Sequence, residues 1–145
     1  MQNITCTRWF PHPTSTIYQT LTTPDKLPQI VKRLQAVDVL ERAEEQGRVW
    51  AKIDLPGGKV IETEGTVTGT LNQYLAFETE KPFPLQISWR LSPESNGTAV
   101  QYTIGVDFSP VIELLSGLVL KGYLQPEMEQ DLSKLESLLG VYPPA

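Results

Sequence analysis

The chain has 145 residues, enough to bury about 68–70% of the surface that its unfolded form exposes. It carries 12 lysines and arginines against 17 aspartates and glutamates, for a net charge of −5. Because no basic patch is present, we expect no nucleic-acid partner and no attraction to an anionic membrane surface. The single cysteine, Cys6, leaves no internal disulfide, and its place in an apolar alternation predicts a buried thiol.

No segment has the pattern of a signal peptide or of a transmembrane helix. The N-terminus lacks a charged region followed by an apolar stretch. The most apolar segment, Val111 to Leu120, contains Glu113 and is shorter than the roughly 20 residues that a membrane span requires. No repeat, low-complexity stretch or linker divides the chain. We therefore expect a single cytoplasmic domain over residues 1–145.

In chain order, the pattern predicts a strand, two short helices, six further strands and a long helix. The first strand covers 4–10, and Thr14, Ser15 or Thr16 can cap the helix that follows. A second helical piece starts at Thr23, and Pro28 keeps it short. The remaining strands are predicted at 37–44, 48–55, 59–68, 74–80, 83–91 and 100–108, with turn residues at 46–47, 56–58, 71–73, 81–82 and 95–97.

The last two predicted strands have the clearest pattern in the chain. Period-two alternation predicts half-buried antiparallel strands with one face on the core. The predicted core face carries Phe83, Leu85, Ile87, Trp89, Leu91, Val100, Tyr102, Ile104, Val106 and Phe108, and the other carries Gln86, Ser88 and Arg90. Ser109 and Pro110 then form a helix start, an N-cap followed by proline at the first helical position. We expect that helix to cover the apolar face, which favours a cupped sheet that acts as a container.

Several stretches resemble the START-like (SRPBCC) superfamily, which includes polyketide cyclases, coenzyme Q-binding proteins and birch-allergen-like proteins. IYQTLTTPDKLP at 17–28 resembles the opening helix and turn of that group, and ISWRLSP at 87–93 with NGT at 96–98 resembles its last hairpin. Residues 127–135 resemble its terminal helix. The resemblance implies an α+β helix-grip fold, in which a curved seven-stranded antiparallel sheet wraps around a long C-terminal helix over a hydrophobic cavity.

The terminal helix has two different arms. Around and beyond Pro126 an apolar stripe runs through Leu124, Met128, Leu135 and Leu139, and either Asp131 or Leu132 completes it. Pro126 leaves the carbonyl of the fourth residue before it without a helical donor, so we predict a kink. The first arm, at 111–120, is apolar almost all round. Two explanations of that surface remain open: deeper burial or a dimer contact, and a lid over a ligand cavity.

These stripes define a candidate ligand cavity, lined by Tyr18, Leu21, Ile87, Trp89, Tyr102, Ile104, Leu114 and Leu118. A dry void of about 300 Å³ would cost on the order of 7 kcal/mol, which rivals a total stability of about 5–15 kcal/mol. We therefore expect one of three states: the cavity contains water, its aromatic side chains and the first arm close it, or a ligand occupies it. The hydroxyls of Tyr18, Tyr102 and Thr63 and the indole of Trp89 are the only polar groups expected there, so any occupant should be mainly apolar.

Residues for chemistry are scarce. His12 is the only histidine, and its place between two prolines predicts a surface or capping role. Glu62 and Glu64 share one face of a strand, which solvent exposure explains better than acid–base chemistry. We therefore predict no catalytic residue, no metal site and no cofactor.

Three functions remain open. The first is binding or transport of a small hydrophobic molecule, lipid-, quinone- or polyketide-like, by a monomer or weak homodimer. The second is a polyketide cyclase or dehydratase, which would need an acid or base inside the cavity, where the apolar stripes supply only tyrosines. The third is a protein-interaction module of the same fold.

Overall fold

The structure is a computed structural model that describes residues 2–43, 46–55, 58–107 and 120–140. Its elements are β1 Gln2–Phe10, α1 Thr14–Leu21, a 3-10 turn Pro24–Lys26, α2 Leu27–Ile30, β2 Leu34–Arg42, β3 Gln46–Asp54, β4 Val60–Thr70, β5 Tyr74–Thr79, β6 Leu85–Glu94, β7 Gly97–Val106 and α3 Leu120–Leu139. Within the described ranges, no helix combines the length and the apolar character that crossing a membrane requires.

The described strands form one antiparallel sheet in the order β1-β7-β6-β5-β4-β3-β2. All neighbours except β1 and β7 are consecutive in the chain, so short hairpin connections build most of the sheet. β1 and β2 lie at opposite edges, and α1 and α2 connect them across one face. This arrangement confirms the predicted α+β helix-grip fold with its curved seven-stranded sheet.

The register of the last hairpin is confirmed. Trp89 lies opposite Tyr102 and Ile87 lies opposite Ile104, so these side chains share a face of the sheet. Trp89 and Tyr102 are buried there, whereas Arg90, on the other face, is exposed. A one-residue slip would have reversed every one of these faces, and the uninterrupted alternation excludes it.

Helix α3 packs its stripe against the concave face of the sheet. The buried side chains of the stripe are those of Leu124, Met128, Leu132 and Leu135. Asp131 is also buried, so both candidates for the middle position face inward. Pro126 lies inside the helix, where its ring removes a backbone donor, so the cause of the predicted bend is in place.

Several predicted boundaries are wrong in detail. Helix α1 begins at Thr14 with Pro13 at the cap position, and no side chain caps it. Pro28 lies in the first turn of α2, where proline is tolerated, so it helps to begin that helix rather than to end it. Gln46 and Gly47 are the first residues of β3 rather than a turn. The predicted helix start at 109–110 lies outside the described residues.

Candidate functional site

Of two cavities between the sheet and the helices, the larger, of about 260 Å³, lies between the short helices and the concave side of β2 to β6. Alternate residues of each strand point into it, because every second side chain of a strand faces the same way. Its walls are mostly apolar, and they include Leu21, Val31, Val37, Val49, Ala51, Ile53, Phe77, Ile87 and Trp89. Its only charged lining residues among those described are Glu41 and Arg42, which are exposed at the end of β2.

A smaller cavity of about 70 Å³ lies between α3 and the sheet. Leu85 and Tyr102 of the sheet face Leu124 and Met128 of the helix across it. Four apolar side chains border both cavities, namely Val31, Leu34, Ile53 and Ile87. The space between sheet and helices is therefore divided in two, where the sequence predicted a single cavity.

The predicted cavity residues divide between these two spaces. Tyr18, Leu21 and Trp89 line the larger cavity, and Ile87 lines both cavities. Tyr102 and Ile104 line only the smaller one. Two further predicted residues, Leu114 and Leu118, lie outside the described part of the chain.

Trp89 and Tyr102 form a parallel stack at the centre of the sheet. Their ring centroids are 3.9 Å apart and their planes differ by 3°. The two residues are directly opposite each other on β6 and β7, which brings the rings together without any distortion of the strands. Tyr102 thus covers one face of the indole, and the remainder of Trp89 borders the larger cavity.

A buried carboxylate lies beside this stack and was missed by the prediction that only tyrosines would be available. Asp131 is 3% exposed. Its Oδ2 accepts a hydrogen bond from the Tyr102 hydroxyl at 2.9 Å, and its Oδ1 accepts one from the Lys32 backbone N–H at 3.1 Å. The signal was an acidic residue inside an apolar stripe, and such a residue needs partners when it is buried.

Burial determines the protonation of this pair. Loss of water raises the pKa of Asp131 above its ordinary value, and the two hydrogen bonds that it accepts oppose that shift. Burial and the nearby carboxylate of Asp131 together raise the pKa of Tyr102 well above its ordinary value. Tyr102 therefore keeps its proton and acts as the donor of the pair.

An ion pair lies next to Asp131 and connects the same elements. Arg33 donates from Nε to Oε2 of Glu127 at 2.6 Å and from Nη2 to Oε1 at 2.8 Å. Its Nη1 donates to the backbone carbonyl of Asp54 at 3.1 Å. Such a bidentate contact fixes the geometry of both side chains. Lys32 and Arg33 thus attach the chain after α2 to α3, along one wall of the smaller cavity.

The other two candidate residues, His12 and Thr63, are buried and contact polar groups of the protein itself. His12 is 3% exposed, so the predicted surface position is wrong. Its Nε2 lies 3.1 Å from the carbonyl oxygen of Gly140, a contact at the end of α3 that agrees with the capping alternative. Thr63 lies 2.7 Å from the Thr79 hydroxyl and lines neither cavity, so it is no polar group for a ligand there.

Two further predictions, on Glu62 with Glu64 and on Cys6, fall on described residues. Glu62 and Glu64 are exposed, as their pattern suggested. Cys6 is buried, as predicted. In the ranges that the structure covers, no group of three or more histidine, cysteine, aspartate or glutamate side chains is arranged to hold a metal ion.

Solved structures of similar fold come from several bacteria. TTHA0849 of Thermus thermophilus has a TM-score of 0.78 and 18% sequence identity, with 95% of this chain and 97% of that chain covered. The Zhui aromatase/cyclase of Streptomyces sp. R1128 has a TM-score of 0.75 and 13% identity, with 95% and 93% covered. The di-domain ARO/CYC BexL, of the BE-7585A biosynthetic pathway, has a TM-score of 0.71 and 15% identity, with 98% and 51% covered. At these identities the likeness concerns the fold.

No curated protein sequence matches the chain. Residues 10–126 match the profile of a family described as polyketide cyclase/dehydrase and lipid transport. That range includes both short helices, all strands except most of β1, and every lining residue of the larger cavity. On this match over most of its length, the chain belongs to the polyketide cyclase/dehydrase and lipid transport family.

Proposed function

We propose that the protein binds a small, mainly apolar molecule in the larger cavity and holds or carries it there. The observation behind this proposal is the cavity itself, a space of about 260 Å³ with mostly apolar walls. At about 24 cal/mol per Å³, a dry void of that size would cost on the order of 6 kcal/mol. A well-fitting apolar occupant offsets this cost, whereas water gains few hydrogen bonds from such walls.

The chemistry of the walls limits the class of ligand. Aliphatic and aromatic side chains surround most of the space, and the charged groups of Glu41 and Arg42 are at its edge. A charged group in the interior would lose its hydration without gaining a partner. We therefore favour an uncharged lipid-, quinone- or polyketide-like molecule. The family description, which includes lipid transport, agrees with this class.

Filling the cavity tests the proposal. Ala51 lines the larger cavity on β3 and is 2% exposed. In Ala51→Phe the added ring should occupy the empty space, so we expect the affinity for N-phenyl-1-naphthylamine, a neutral apolar fluorophore, to fall at least about tenfold while the fold is retained. Fluorescence titration measures the affinity, and circular dichroism checks the fold.

The neighbouring residue provides a matched control. Lys52 lies on the same strand with its side chain on the opposite face of the sheet. Lys52→Tyr adds an aromatic ring there and should leave the affinity for the fluorophore unchanged. Equal affinity of Ala51→Phe and the parent protein would disprove binding in this cavity. Native mass spectrometry and solvent extraction of the purified protein would then identify any molecule it retains.

The contact between Asp131 and Tyr102 favours cyclase or dehydratase chemistry as a second candidate function. A buried carboxyl group with a raised pKa beside a cavity is a group that general acid–base catalysis can use. On this hypothesis, incubation with a poly-β-ketone thioester should give a cyclised product that has lost water, detectable by mass spectrometry. Asp131→Asn should abolish that product while it retains the binding of the fluorophore. Product formation that is independent of Asp131 would count against this role.

A further inference from the structure

We infer that Tyr18 and Trp89 are the residues that recognise the polar groups of the ligand, and that the ligand carries uncharged carbonyl oxygens on an apolar body. This inference rests on the function proposed above and makes the ligand class narrower. A carbonyl-bearing molecule is distinguished here from a hydrocarbon, which has no acceptor, and from a carboxylate, which carries charge.

The sequence predicts four polar groups at the cavity. Two of them are occupied by the protein itself. The Tyr102 hydroxyl donates to Asp131, and the Thr63 hydroxyl contacts Thr79 and the carbonyl of Lys81. Neither group is available to a ligand.

The other two groups have no hydrogen-bond partner in the described structure. They are the Tyr18 hydroxyl and the indole N–H of Trp89, both in residues that line the larger cavity. Trp89 is 3% exposed, yet within the described ranges no fully enclosed side-chain nitrogen or oxygen lacks a partner. The unpaired indole nitrogen must therefore retain accessible surface, and the cavity that Trp89 borders is the place for it. A ligand that fills the cavity displaces water from this donor, so an acceptor on the ligand would be bound favourably.

The sheet register gives the distance between Trp89 and the strand position that Tyr18 covers. Tyr18 lies over Gly69 of β4, and a β-carbon added to Gly69 would be 2.5 Å from its hydroxyl oxygen. Gly69 pairs with Leu75 on β5, and Leu75 pairs with Trp89 on β6. With about 4.8 Å between neighbouring strands, Gly69 and Trp89 are roughly 10 Å apart across the cavity wall. Glycine at position 69 thus provides the room in which the Tyr18 hydroxyl lies.

The chemistry of the two donors specifies the ligand. An indole N–H can only donate, so its partner must be an acceptor. Burial raises the pKa of Tyr18, which keeps the phenol protonated and able to donate as well. Among the described lining residues the one cation is Arg42, which is exposed at the end of β2 and so cannot neutralise a carboxylate in the interior. Carbonyl oxygens of a ketone, ester or quinone meet these conditions.

Two probes of similar shape test this class. 2-Methyl-1,4-naphthoquinone carries two carbonyl oxygens, and 2-methylnaphthalene carries none. Their affinities follow from displacement of N-phenyl-1-naphthylamine. We expect Tyr18→Phe, which removes only a hydroxyl, to weaken binding of the quinone about three- to tenfold and to leave the hydrocarbon unchanged. Gly69→Ala should have a similar effect, because it displaces the hydroxyl while leaving Tyr18 in the chain.

Tyr74 provides a matched control outside the cavity. Its ring contacts the guanidinium of Arg90 at 4.9 Å, on the convex side, so Tyr74→Phe should change neither affinity. Equal weakening of both probes by Tyr18→Phe would overturn the inference, and so would tighter binding of 2-naphthoate than of the quinone. In either case the proposed function would stand. Failure of the fluorophore to bind the parent protein would instead remove the proposed function itself.

Discussion

Replacing Trp89 with alanine should lower the free energy of unfolding by about 3–5 kcal/mol, the usual cost of removing a large buried aromatic side chain. Trp89 is 3% exposed and stacks on Tyr102 with ring centroids 3.9 Å apart. Because its other side borders the larger cavity, the space left by the indole would join that cavity rather than collapse. Urea denaturation followed by far-ultraviolet circular dichroism measures the loss without relying on tryptophan fluorescence.

Trp9 is the matched control for this substitution. It is 45% exposed, and its indole nitrogen donates to the carbonyl of Glu94 at 2.7 Å. Trp9→Ala should therefore cost only about 1 kcal/mol, roughly the net value of one hydrogen bond. Equal losses in the two variants would show that the stack and the burial of Trp89 contribute little to stability.

Replacing Asp131 with alanine should lower the free energy of unfolding by about 2–4 kcal/mol. The change leaves the Tyr102 hydroxyl and the Lys32 N–H without an acceptor, and each buried donor left unsatisfied costs about 1–3 kcal/mol. Relief from burying a carboxylate offsets part of this loss. Asp131→Asn retains an acceptor in the same place and should cost less. Urea denaturation at neutral pH measures both variants.

The same carboxylate predicts a pH dependence. The pKa of Asp131 is raised above its ordinary value of 3.8 in the folded state, so the folded protein holds this proton at pH values where the unfolded chain has released it. The stabilisation that comes from this proton is fully present at pH values below the pKa that Asp131 has in the unfolded chain. It is lost as the pH rises through the pKa that Asp131 has in the folded protein. The parent protein should therefore gain stability relative to Asp131→Asn as the pH is lowered across that window. If the difference in unfolding free energy between the two proteins changed in the opposite direction with pH, the hydrogen bonds to Asp131 would outweigh the effect of its burial.

Local pattern determined the strands to within a few residues and the faces of the last hairpin, whereas the resemblance to the START-like group implied the fold class. The alternation from Phe83 onward specifies which side chains share a face, because a strand has a period of two wherever it lies in the fold. The pairing of Trp89 with Tyr102 follows from that period and from the turn at 95–97. The stripe of α3 was equally predictable, since spacing along a helix specifies its buried side. Short stretches suggested the START-like group, and the family match over residues 10–126 confirms that suggestion.

Only the tertiary structure decided which polar residues are buried, and how the cavity is divided. Asp131 was one of two candidates for its position, and its burial depends on Lys32, 99 residues away, and on Tyr102, 29 residues away. His12 was expected at a surface or cap, and its buried contact is with Gly140, 128 residues away. The division of the cavity depends on side chains such as Val31 and Ile87, which come from distant elements and border both cavities. A sequence pattern describes one element at a time, whereas satisfying a buried polar group, or closing a space, requires contacts between elements that are far apart in the chain.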